Sequence, residues 1–79
     1  MSLLTQTNLL SKREKQIAEK ILEGLPNKRI ASALFISERT VKFHCHNIYR
    51  KTGVRSRHGL IALHYRMLQE ALLQLPEAA

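Results

Sequence analysis

The sequence contains no aspartate, no tryptophan and one cysteine, Cys45. Without aspartate these residues carry no phospho-accepting aspartate of their own, and glutamate is the only acidic side chain. One cysteine cannot close an internal disulfide and suits a reducing cytoplasm. No apolar run approaches the ~20 residues that cross a bilayer, and Met1 to Leu10 has neither the charged nor the apolar part of a secretory signal. Internal repeats and low-complexity tracts are absent as well. Seventy-nine residues make one domain, with no room for a small-molecule sensing domain beside it. A hydrophobic content of 44% and a charged content of 24% are ordinary for a folded chain.

What the chain does have is charge of one sign in one place. Between Lys28 and Arg57 stand eight Lys or Arg and one acid, Glu38. The remaining residues hold five basic and five acidic side chains, so this segment carries the whole net charge of +7. A basic field confined to one supersecondary unit is the footprint of a nucleic-acid binder.

Periodicity and punctuation predict four helices. Ser11 with Glu14 three residues on is a capping box for the first. Its apolar stripe is Ile17, Ala18, Ile21 and Leu22, and Gly24 and Pro26 stop it. A second, short helix opens at Asn27 and buries Ile30, Ala31 and Leu34. Phe35-Ile36-Ser37 is the turn, and Ser37 caps a third helix from Glu38 to about Thr52, ended by Gly53. Val41, Cys45, Ile48 and Thr52 share one face of that helix. Arg39, Lys42, Phe43, His46, Asn47 and Arg50 share the other and are expected to point outward. Ser56 caps a fourth helix that reaches about Gln74, where Gly59 costs up to ~1 kcal/mol and loosens the start. Its apolar arc exceeds the ~100° that one core requires, so burial in a partner subunit or beneath a neighbouring domain is expected. The expected organisation is a flexible arm over residues 1–10, a helical domain over 11–75 and a tail over 76–79.

A helix presenting polar side chains at i, i+3, i+4 and i+7 on one face fits a major groove. Ser37, Thr40 and the free amides at the third helix's start suit phosphate contacts, with Lys28 and Lys51 clamping the backbone on either side. Asn27 belongs with this group, and His44 is a phosphate or packing contact. Ala31 has to be small where the second and third helices cross. His44, Cys45 and His46 follow one another in the sequence, but successive helical residues point about 100° apart and cannot converge on one metal ion. Cys45 falls on the buried face, where a thiol is inert. No catalytic constellation, cofactor site or metal site is expected.

From Leu10 to Leu63, about two-thirds of the chain, the spaced residues Leu10-Ser11, Arg13-Glu14, Gly24, Asn27-Lys28, Ile30-Ala31, Leu34, Ile36-Ser37-Glu38, Thr40-Val41-Lys42, His44, Ile48, Lys51, Gly53-Val54, Ser56-Arg57 and Leu60 form one pattern. It resembles the LuxR-type helix-turn-helix DNA-binding domain, the four-helix output module also found in the NarL and FixJ response regulators and, alone, in short members such as GerE. The resemblance implies an all-α fold, a four-helix bundle with the helix-turn-helix in its second and third helices. It also implies that Lys42, Phe43 and His46 read bases, with Asn47 and Arg50 in reach. The family more often has a small or polar residue where Phe43 stands, which implies a different site preference.

The function expected is a sequence-specific, duplex-DNA-binding transcription regulator. It would act in the bacterial cytoplasm, associated with the nucleoid, as a homodimer on inverted half-sites, with RNA polymerase a further partner. Leu60, Leu63, His64, Met67, Leu68 and Ala71 form the expected dimer face. Two other functions fit the same features. One is a promoter-recognition module of the sigma-factor region 4 type on a single asymmetric site, and the other is a helical protein-interaction domain whose basic face holds an acidic partner.

Overall fold

The computed structural model describes residues 4–6 and 8–75. They form α1 (Lys12–Leu22), α2 (Asn27–Leu34), α3 (Glu38–Thr52) and α4 (Arg57–Leu73), preceded by a 3-10 turn at Leu4–Gln6; no strand occurs among the described residues. The fold is all-α, as the pattern required. Residues 76–79, the expected tail, lie outside the described residues, as do 1–3 and 7.

Each serine read as a cap does that work. Ser11 Oγ accepts from the Glu14 amide at 3.2 Å while Glu14 Oε1 accepts from the Ser11 amide at 2.8 Å, completing the capping box. Ser37 accepts from the Thr40 amide at 3.1 Å, and Ser56 from the Gly59 amide at 3.1 Å. Helices α1, α2 and α3 also end alike. A residue of positive φ follows each, and the next amide bonds five residues back: Leu25 to the Lys20 carbonyl, Ile36 to Ala31, and Val54 to Tyr49. At two of these positions the residue is glycine, Gly24 (φ 89°) and Gly53 (φ 79°); at the third it is Phe35, at φ 57°.

A side chain in the left-handed region costs roughly 1–2 kcal/mol, and the Phe35 ring, 95% exposed, recovers nothing by packing. Phe35→Gly is therefore expected to raise the unfolding free energy by about 1 kcal/mol. Chemical denaturation checks this, and an unchanged or lower midpoint would refute the strain argument.

The core joins Ile17, Ala18 and Ile21 of α1, Ile30 and Ala31 of α2, Val41, Cys45 and Ile48 of α3, and Leu60 of α4. Every predicted inward position of α1 and α3 is buried or half-buried. Leu4 and Leu10 also enter this core, and the Thr5 hydroxyl donates to Glu19 Oε1 at 2.5 Å. Within the described part of residues 1–10, expected as a flexible arm, Leu4 and Leu10 are covered by the core while Leu9 stays half exposed. Gly59 also has a packing reason. A Cβ there would stand 3.2 Å from Val54 Cβ, so its absence lets the turn after α3 close onto α4.

On α4 the structure makes one correction. Leu60, expected at a dimer face, is 0% exposed and belongs to the domain's own core, while Leu63 and Met67 pack partly against that core. Apolar residues on nearly every side of α4 left the periodicity unable to separate its two faces. The exposed side carries Tyr65, Leu68, Leu72 and Leu73, and Leu75 is exposed just past the helix end. Beyond Met67, every residue up to Leu75 except the half-buried Ala71 is exposed, so the last turns of the helix stand clear of the body and stretch the molecule to 50 × 23 × 21 Å.

Candidate nucleic-acid interface

Helix α3 separates its faces sharply. Val41, Cys45 and Ile48 are buried, while Arg39, Lys42, Phe43, His46 and Arg50 are exposed. Phe43 is 63% exposed and meets the edge of the half-buried His44 ring, with centroids 5.6 Å apart. Asn47 is half-buried, and its Oδ1 accepts from Arg50 Nη2 at 3.3 Å. At the start of the helix the Ser37 and Thr40 hydroxyls lie 2.9 Å apart. Glu38, the one acid of the basic segment, occupies the first turn, where the helix dipole favours a carboxylate.

Both ends of α3 are tied to the rest of the fold. Ser37 holds the first turn. At the other end Lys51 Nζ lies 2.7 Å from Glu14 Oε1, the same carboxylate that closes the α1 capping box. Burial pushes the Glu14 carboxyl up. The hydrogen bonds from Lys51 and the Ser11 amide, and the lysine's charge, outweigh that and hold it below its ordinary value. Lys51, expected on DNA phosphate, is thus engaged inside the molecule, a pairing across 37 residues that no local pattern announces.

Asn27 is engaged as well. Its Oδ1 accepts from Arg57 Nη2 at 2.9 Å and lies 4.0 Å from Cys45 Sγ, so one amide joins the starts of α2 and α4 to the middle of α3. Sequence reading assigned Arg57 no contact. The signal was a cation in the first turn of α4, where the helix dipole disfavours it, so a tertiary partner was required. Burial pushes the Cys45 thiol up and, with that thiol beside it, the Tyr49 phenol up to about 12. Both groups are neutral at physiological pH. Lys28 is exposed at the start of α2, a helix with no side-chain cap, so its first amides lack a side-chain partner. Among the described residues no three His, Cys, Asp or Glu side chains gather as a metal cage.

A basic, groove-sized helix face on a four-helix body is the geometry on which comparison with known proteins bears. The family model of bacterial regulatory proteins of the luxR family matches residues 8–64. The chain belongs to the luxR family.

This luxR-family chain is 47% identical over 53 residues to the CsgBAC operon transcriptional regulatory protein of Escherichia coli (strain K12), a match covering 67% of the chain and 24% of that relative. It is 50% identical over 50 residues to the nitrate/nitrite response regulator protein NarP of the same strain, covering 63% and 23%. With the response regulator protein TodT of Pseudomonas putida (strain F1) the identity is 48% over 58 residues, covering 73% and 26%. The chain spans about a quarter of the length of the curated relatives it matches. The matched family is one of bacterial regulatory proteins, and the relatives named are transcriptional or response regulators.

Of the residues expected to serve as the dimer face, Leu68 is exposed. Leu63, His64, Met67 and Ala71 are half-buried, and Leu60 is buried.

Proposed function

We propose that this luxR-family domain binds duplex DNA as a two-fold dimer, with α3 of each copy in the major groove. The half-sites would be inverted and about one helical turn, ~10 bp, apart. The observation that carries the reading is the exposed, basic face of α3 set opposite its buried one. Lys42 can donate to guanine O6 or N7, Phe43 can meet a thymine methyl, and His46, Asn47 and Arg50 lie along the same side. Lys28 with the uncapped start of α2, and Ser37 and Thr40 at the start of α3, suit phosphates on the two flanks. Asn27 and Lys51 act chiefly by holding the helices, an assignment supported by the Arg57 bond and the Glu14 ion pair, while the half-buried His44 beside the Phe43 ring suits a phosphate.

For the dimer, the exposed side of α4 supplies Tyr65, Leu68 and Leu72, which with the half-buried Ile61 recur at steps of four, three and four. That is the a/d spacing of a two-helix seam. No described helix is long and apolar enough to cross a membrane. The setting proposed is the bacterial cytoplasm, on the nucleoid. The domain acts by binding and not by catalysis, in keeping with a family and named relatives that are regulators. RNA polymerase is the further partner proposed for the bound regulator.

Selection of bound duplexes from a random pool at near-physiological salt tests this reading. An inverted repeat is the expected result. A single asymmetric site bound by a monomer would point to a sigma-like docking module, and no duplex binding to a helical domain for acidic protein partners. Lys42→Ala or His46→Ala is expected to change the preferred bases, with losses of about 1–3 kcal/mol on the parent site. Lys28→Ala or Thr40→Ala is expected to weaken all duplexes alike. Identical behaviour of the two groups would show that the groove-reading face is misassigned.

A further inference from the structure

Between Glu38 and Glu70 the chain has no acidic residue, so the cations of this stretch find few partners within it. Lys51 reaches back to Glu14 and Arg57 to Asn27. Arg50 meets only the neutral Asn47, and Arg55 makes no hydrogen bond or ion pair to any described residue. These last two flank a cleft of about 360 Å³ between the C-terminal half of α3 and the turn into α4, lined by His46, Tyr49, Arg50, Val54 and Arg55. Its back wall is fixed by local geometry. Gly53 turns the chain, the Val54 amide bonds the Tyr49 carbonyl at 3.0 Å, and the bare Gly59 lets Val54 seat against α4. The Tyr49 phenol stays neutral, so the lining brings no negative charge.

We propose that this cleft holds one phosphodiester of the DNA backbone, with Arg55 its principal ligand and Arg50 its second. Two guanidinium groups around a concave site with no acid suit a tetrahedral anion. His46 and Arg50 stand one turn apart on the outward face of α3, so the cleft begins where the base-reading surface ends. The assignment rests on the DNA-binding reading and extends that interface to the turn between α3 and α4. A free phosphate ion offers the same chemistry, and the test separates the two.

The test measures binding of the full chain to its selected duplex across a range of salt. For Arg55→Gln the expected result is roughly tenfold weaker binding at 0.1 M salt. The log–log salt slope should be about 0.9 shallower, the value for one phosphate, with base preference unchanged. Arg55→Lys should restore the slope. A duplex carrying one neutral methylphosphonate at the contacted position should bind the parent more weakly and the Arg55→Gln variant no worse than the natural duplex does. A steep parental slope that Arg55→Gln leaves untouched would overturn the proposal while the DNA-binding reading stands. Absence of any duplex binding by the parent would overturn both. If inorganic phosphate alone shifts the Arg55 side-chain resonance and the duplex slope does not depend on Arg55, the site belongs to the free ion.

Discussion

Leu60→Ala is expected to lower the unfolding free energy by about 2–5 kcal/mol, a large part of the roughly 4–12 kcal/mol that holds a domain of this size. The cause is the position of the side chain. Leu60 is fully buried in the cluster where α4 meets α1 and α3, so truncation leaves a void that the surrounding helices refill only in part. At about 4–8 °C per kcal/mol, the midpoint should fall by about 8 °C or more. Leu72→Glu provides the contrast. Leu72 is 59% exposed on the last turns of α4, so the charge should change monomer stability by no more than about 0.5 kcal/mol while abolishing self-association. Thermal unfolding at several protein concentrations, with sedimentation of both variants, reads the two effects separately. A Leu60→Ala domain as stable as the parent would mean that the packing of α4 on the body is wrongly described.

Glu14→Ala is the second large effect, a loss of about 2–3 kcal/mol. One carboxylate accepts from the Ser11 amide and from Lys51, so its removal opens the cap of α1 and releases the far end of α3 together. Glu14→Gln keeps an acceptor for the amide and should lose about half as much. The pH dependence follows from the lowered folded-state value. The unfolded chain binds the proton first as pH falls, so this stabilisation is complete above the carboxyl's ordinary value of 4.5 and disappears as pH falls through the folded value. The Glu14→Gln variant lacks that acid-side decline. Urea denaturation of parent and variant between pH 3 and pH 7 checks this, and parallel curves would rule the ion pair out as its source.

The three serine caps and the glycine ends of α1 and α3 were legible in the chain because each is a local rule satisfied within a few residues. Phe35 was not. The turn after α2 adopts the same geometry without the glycine that would announce it. The exposed and buried faces of α3 were legible because its polar and apolar residues are separated at helical spacing. In α4 they were not, because leucines occupy both sides and only the packed body says which are covered. The cations of the candidate site were easy to find and hard to apportion. Lys51 and Arg57 are satisfied by partners 37 and 30 residues away, and Arg55 stands out only once those pairings are known. Burial of Leu4 and Leu10 has the same origin, a tertiary contact supplied by α1.

The clamping of α3 at both ends, by Ser37 at its start and by Lys51 on Glu14 at its finish, has an entropic consequence. The backbone of the proposed reading helix is ordered when the domain folds, so association with DNA would restrict side chains such as Lys42 and His46 and little else. Discrimination between sites then resides in a few rotamers on a stationary scaffold. Exchanging those side chains can retarget the domain without asking the backbone to find a new shape.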